Sequence, residues 1–184
     1  MILPITYCDR FVDDPDAAFA ALWTELDWQR RGNTPRREYY SNDHPVPYVY
    51  GRGLGEREYL PQPWHPVMRS LQEALVARTE ALLDVCFLNG YEDGQDHLGY
   101  HADDSSEMDN ARPIAIISLG AEREIWFCPQ DNKQDVSKLK LGHGSLCLMH
   151  AGMQQTHFHR IPKAGFICGP RVSLTYRGFV PAGT

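Results

Sequence analysis

The sequence has no apolar run long enough to span a bilayer as a helix, no CxxC pair, and no glycine-rich phosphate loop following a strand. A membrane helix needs about 20 consecutive apolar residues, so a span is not expected. The missing phosphate loop disfavours the nucleotide-binding α/β folds. Internal repeats and low-complexity tracts are absent too, which removes solenoid and propeller architectures. Cationic excess is also lacking: 18 Lys and Arg face 24 Asp and Glu, a net charge of -6. That balance argues against a chain whose whole surface binds phosphates. In the opening stretch MILPITYCDRFVDD, acidic residues arrive before any apolar run of signal-peptide length, so a cytoplasmic location is expected. The cysteines Cys8, Cys86, Cys128, Cys147 and Cys168 are odd in number and mostly embedded in apolar segments such as DVCFL and SLCLM, as reduced core thiols would be.

What is present suits one soluble globular unit. The 184 residues are 42% hydrophobic and 23% charged, ordinary values for a domain that buries its own core. Asp14 followed by Pro15 reads as a helix start, and Phe19, Leu22, Trp23 and Leu26 then recur at helical spacing. A second helix is expected from Pro66, with Val67, Met68, Leu71, Leu75 and Leu82 on its apolar stripe. Both helices are expected to cover one sheet face. Residues 30–63 are rich in Gly, Pro, Asn and aromatics, as short strands and loops would be. From Val85 onward, VCFLNGY, PIAIISLG, EIWFC, SLCLM and RVSLTYRGFV alternate with turn signals. The expected class is therefore α+β, helices followed by a sheet that closes as a sandwich or jelly roll.

Two segments carry chemistry. His101 and Asp103 stand two apart, which on an extended backbone puts imidazole and carboxylate on one face. A second histidine from a distant strand would complete a two-histidine, one-carboxylate set with positions left open at Fe(II). His143, His150, His157 and His159 are the candidates, and alternation cannot separate His157 from His159. Without that partner, the pair is equally what a solvated acidic loop contains. In RVSLTYR, Arg171, Ser173, Thr175 and Arg177 fall on one strand face and Val172, Leu174 and Tyr176 on the other. Two guanidinium forks on one face can hold both ends of a dicarboxylate, although a solvent-exposed strand face would look the same. Asn89 and Tyr91 could add neutral donors to that anion.

Taken in order, NGY, HADD, HFHRIPK and RVSLTYR resemble the AlkB family of Fe(II)- and 2-oxoglutarate-dependent dioxygenases, whose members carry N-x-Y, H-x-D, a distal His and R-x-N-x-T-x-R in that sequence. The resemblance covers roughly residues 35–180. It implies a double-stranded β-helix, or jelly roll, in a single domain over 1–184, with helices and a nucleotide-recognition lid in 1–84 and the catalytic core in 85–184. It further implies that His101, Asp103 and His159 are the catalytic metal ligands, because the family's distal histidine stands just before an I-P pair. Arg171 and Tyr91 would bind the distal carboxylate of 2-oxoglutarate, and Asn89 and Arg177 its keto-acid end, while Ser173 replaces the family's usual Asn. Tyr48 and Tyr50 in YVYGRG would face a flipped base, and Asp104 keeps the second acid of an H-x-D-D pattern whose next acid is Ser105 here.

The implied activity uses Fe(II), 2-oxoglutarate and O2 to demethylate N-alkylated bases oxidatively, releasing formaldehyde, succinate and CO2. The expected partner is alkylated DNA or RNA, single-stranded or locally melted, with no membrane, and the chain is expected to act as a monomer. Phosphate contacts are expected from the Arg30, Arg31, Arg36 and Arg37 cluster. A dioxygenase of the same family acting on protein, lipid or another RNA target, and a noncatalytic jelly-roll binding module, are the competing readings.

Overall fold

A computed structural model describes residues 3–32, 34–50 and 56–180. In chain order it contains β1 (Ile5–Cys8), α1 (Pro15–Glu25), β2 (Arg37–Asn42), β3 (Tyr48–Tyr50), β4 (Arg57–Tyr59), α2 (Pro66–Thr79), β5 (Val85–Tyr91), β6 (Leu98–His101), β7 (Ile114–Gly120), β8 (Arg123–Pro129), β9 (Ser137–Leu141), β10 (Ser145–Met149), β11 (His157–Ile161) and β12 (Arg171–Arg177). The six-stranded sheet runs β1-β10-β7-β12-β5-β2 and the four-stranded sheet β6-β11-β8-β9. From β5 to β12 the chain passes repeatedly between the two sheets, and the strand neighbours are antiparallel. This is the double-stranded β-helix expected.

Both helices form where the local chemistry places them. The Asp14 carboxylate accepts from the Ala17 amide at 3.0 Å, capping α1 ahead of Pro15. At α2 the His65 ring takes the capping role, accepting from the Val67 amide at 3.2 Å. Leu82 does not belong to the α2 stripe: the helix ends at Thr79, Glu80 adopts φ 55°, and Leu82 is exposed. The left-handed residue turns the chain away before the apolar period can reach Leu82.

The helices cover the outer face of the large sheet. Leu22, Met68, Leu71 and Leu75 pack there against Cys86, Leu88, Ile117, Leu119, Val172, Leu174 and Tyr176. The alternate residues of the same strands face the small sheet, and the β12 strand is buried along its entire length. The solvent-exposed reading of that strand is thereby excluded. The expected order of helices first and sheet later is not kept, because β1 and β2 both join the large sheet. β2 escapes a pattern reading because five of its six residues are buried although they include Glu38, Ser41 and Asn42.

β3 and β4 form a separate hairpin over the open end of the barrel, pairing Tyr48 with Tyr59 and Tyr50 with Arg57. Residues 51–55, which include the Gly51-Arg52-Gly53 part of the expected lid, lie outside the described residues. Among the described residues, no helix is long and apolar enough to cross a membrane. Cys86, Cys128 and Cys147 are buried as expected, whereas Cys8 and Cys168 are only half-buried.

Candidate active site

The small sheet builds the metal-type cluster through its register. His159 of β11 lies directly opposite His101 of β6, so two residues 58 positions apart in sequence meet side by side, their ring centroids 4.2 Å apart. Asp103 follows the end of β6, and its backbone amide donates to the Gln154 side chain at 2.9 Å. One donor atom from each of His101, Asp103 and His159 lies within 4.8 Å of the others. His101 Nδ1 is 2.9 Å from the Gly99 carbonyl, which leaves Nε2, 3.5 Å from Asp103 Oδ1, turned toward the carboxylate. His159 Nε2 is 3.7 Å from Asp103 Oδ2.

These contacts resemble ion pairs but the histidines are neutral. Burial depresses the His159 pKa to about 3, outweighing the nearby carboxylate, and lowers that of His101 by the same cause. Neutral imidazole is the form that ligates a metal. Asp103 stays ionised: burial pushes its carboxyl up, but the Arg177 guanidinium beside it brings it below the ordinary value. Arg177 Nη2 stands 3.0 Å from Asp103 Oδ1. Asp103 Oδ2 is buried and has no hydrogen-bond partner among the described residues. Two neutral nitrogens and an orphaned carboxylate oxygen converging on one point are what Fe(II) requires of a protein, so the residues fit that ion.

The other histidine candidates are engaged elsewhere. His143 accepts from the Gly120 amide and faces Asp16, and His150 bonds Thr6. His157 bonds its neighbour Thr156 and lies next to Pro129, away from the β6 end.

Next to the triad is an inner pocket lined by Asn89, Tyr91, Ser173, Thr175 and Arg177 with Leu98, Ile116, Ile125 and Ile161. Arg171 is not itself in the lining but lies against two residues that are, Tyr91 and Ser173. The Arg171 side chain is fully buried, its Nε donates to Ser118 and one Nη to Ser173, and the other Nη has no partner among the described residues. Burial pulls its pKa down to about 10, so the site carries an unspent demand for an anion. The guanidinium carbon sits 5.1 Å from the Tyr91 ring centre. Arg123, which the sequence reading did not single out, shapes this end: buried, it donates to the carbonyls of Asp93, Asp96 and Pro162 and pins two loops together.

Tyr48 and Tyr50 differ in burial. Tyr48 is 3% exposed, stacks on Tyr59 and lies 3.5 Å from Arg177 through its hydroxyl, so it packs as core while also lining the inner pocket and an outer cleft. Tyr50 is only half-buried and lines both the inner pocket and the same outer cleft of about 640 Å³. Asp104 is exposed on that cleft, beside the half-buried Ser105 and Glu107.

The arginine cluster is not the free basic patch expected. Arg36 is buried, donating to Asn89 and Glu38. Arg37 pairs with Glu92 and covers Trp23, and Arg30 pairs with Glu92 and Asp96. Arg31 lies over the Tyr59 ring. Local spacing could not reveal this, because Asn89, Glu92 and Asp96 approach only when β2 pairs with β5.

Comparison with known proteins agrees with this geometry. Residues 20–177 match the 2OG-Fe(II) oxygenase superfamily. The DNA oxidative demethylase ALKBH2 of Bos taurus is 32% identical over 156 residues, covering 81% of this chain and 55% of the relative. The alpha-ketoglutarate-dependent dioxygenase alkB homolog 3 of Homo sapiens is 30% identical over 190 residues, covering 93% and 64%. The chain spans 55% to 64% of the length of the ALKBH2 relatives from cattle, mouse and human. The structure of OsALKBH1 superposes with a TM-score of 0.67 over 96% of this chain and 97% of that one, at 16% identity, a likeness of fold. The chain belongs to the 2OG-Fe(II) oxygenase superfamily and, within it, to the AlkB family.

Proposed function

We propose that the protein is an Fe(II)- and 2-oxoglutarate-dependent dioxygenase that oxidatively demethylates N-alkylated bases in DNA or RNA. The observation that carries the reading is the convergence of His101, Asp103 and His159 beside a pocket whose lining residues Tyr91 and Ser173 contact the buried Arg171, one Nη of which has no hydrogen-bond partner among the described residues. In this reading those three side chains hold Fe(II). Arg171, Tyr91 and Ser173 take the distal carboxylate of 2-oxoglutarate, and Asn89 and Arg177 orient its other end. Bound there with O2, iron and 2-oxoglutarate supply the oxidation that turns an N-methyl group into formaldehyde.

The protein's own part is positioning and exclusion of water. Arg177 fixes the Asp103 carboxylate in one orientation, and the isoleucines of the pocket keep it dry. Tyr50 offers a ring face to an extruded base at the cleft that Asp104 borders. The named activity of the ALKBH2 relatives, DNA oxidative demethylation, supports nucleic acid as substrate. Since Arg36 is turned inward, phosphate contacts fall to Arg37 and other exposed cations, which would be drawn from their present carboxylate partners. The reading also takes the chain to work as a cytoplasmic monomer, which fractionation and sedimentation would check.

Mass spectrometry of methylated DNA, RNA and histone oligomers after incubation with iron, ascorbate and 2-oxoglutarate tests the reading. Loss of one methyl mass from a base supports it. Decarboxylation of 2-oxoglutarate with no base demethylated at low salt would transfer it to a protein or lipid substrate.

A further inference from the structure

The register between β2 and β5 sets Glu38 directly opposite Asn89, with Ser173 on the other side of Asn89 and Ser118 beyond it. These four polar residues make a row across the inner face of the large sheet, all buried. Glu38 stands at the end of that row, 1% exposed, and an isolated carboxylate would be costly there. It is matched instead by three groups. Arg36 Nη2 donates to Oε1 at 2.8 Å, Tyr59 donates to Oε2 at 3.0 Å, and Arg57 Nη1 lies 4.0 Å from Oε1.

Arg36 uses a second edge of the same guanidinium on Asn89, donating from Nε to the amide oxygen. An arginine can only donate, so this contact fixes which way the amide points. Oδ1 is committed to Arg36, and the Nδ2 hydrogens are left for the pocket that Asn89 lines. Glu38 in turn holds Arg36, because without the carboxylate the guanidinium would be a buried cation with no anionic partner. Tyr59 belongs to the hairpin over the barrel opening, so that hairpin rests on the same carboxylate.

We propose that Glu38 is a positioning residue for the cosubstrate site, acting through Arg36 to present the Asn89 amide as a donor to 2-oxoglutarate while anchoring the β3–β4 hairpin through Tyr59. The inference rests on the assignment of Asn89 to cosubstrate in the proposed function. It differs from a packing role in that the effect must pass through Asn89.

The test is a double-mutant cycle read by binding. The 2-oxoglutarate dissociation constant is titrated anaerobically on the Fe(II)-loaded protein from its visible charge-transfer absorption, with iron affinity measured in parallel. Glu38→Gln is nearly isosteric and still offers Arg36 an acceptor, so it preserves the fold while removing the charge that holds the guanidinium. It is expected to weaken 2-oxoglutarate binding on the order of tenfold, the range for a lost charge-assisted contact, and to leave iron affinity unchanged. In an Asn89→Ala background the same substitution is expected to have almost no further effect. Equal losses in both backgrounds, or no loss in the native one, overturn the proposal. A parent protein that binds iron but gives no 2-oxoglutarate signal would instead overturn the proposed function, and this inference with it.

Discussion

Arg177 and Asp103 face each other across 3.0 Å with both side chains almost wholly withdrawn from water, joining the last residue of β12 to the acid of the triad. Removing one member of a buried charge pair leaves the other uncompensated, at a cost of about 3–5 kcal/mol. Metal-free Arg177→Met is therefore expected to unfold well below the parent. Because a divalent ion would replace the missing positive charge, Fe(II) or Mn(II) should raise its melting temperature more than the parent's. Thermal denaturation with and without metal measures this, and an equal metal-induced rise in both proteins would contradict it.

The choice of third ligand is tested by His159→Ala and His157→Ala. His159 meets His101 and Asp103, whereas His157 bonds Thr156. Iron titration should show loss of binding in the first variant and retention in the second. The reverse pattern would sink the assignment.

Arg171→Lys should raise the 2-oxoglutarate concentration needed for half-maximal turnover, on the order of tenfold, by exchanging a rigid fork for a point charge. Iron affinity should barely move, since Arg171 lies against Tyr91 and not among the triad. Saturation curves that coincide with the parent's for both Arg171→Lys and Arg171→Ala would remove the residue from the cosubstrate site.

The two tyrosines should fail differently. Tyr50→Ala is expected to weaken use of a methylated oligonucleotide about tenfold or more, as loss of one base stack does, while 2-oxoglutarate turnover without substrate continues. Tyr48→Ala should instead cost about 3–5 kcal/mol of stability, the range for a buried aromatic, because its ring packs among Tyr40, Tyr59 and Phe87. Paired denaturant melts and demethylation assays separate the outcomes. Equal activity losses with unchanged stability would mean that both rings face the base.

Much of this site could be read from the sequence because its chemistry is carried by close spacing. Alternation put Arg171, Ser173, Thr175 and Arg177 on one face of a strand, and the fold keeps them there. The contribution of β2 was not legible. REYYSN has no apolar alternation, since its inward positions hold Glu38, Tyr40 and Asn42; Glu38 is made tolerable by Arg36 and by Tyr59 of another strand, and Asn42 by donating to the Tyr40 hydroxyl. Arg36 and Arg37 look alike as a local charge cluster, and only the β2–β5 register turns one inward and leaves the other on the surface. β9 could have been found: Leu139 and Leu141 alternate with the outward Lys138 and Lys140.

β12 has no residue facing water. Val172, Leu174 and Tyr176 support the helices, while Arg171, Ser173, Thr175 and Arg177 point into the barrel. A mutational scan scored only by survival of function would find seven intolerant positions in a row, with nothing to tell scaffold from machinery. Scored by cellular abundance, the same strand should resolve into a period of two. Substitutions at 172, 174 and 176 would deplete the protein, whereas apolar replacements at 173 and 175 would leave it plentiful but idle.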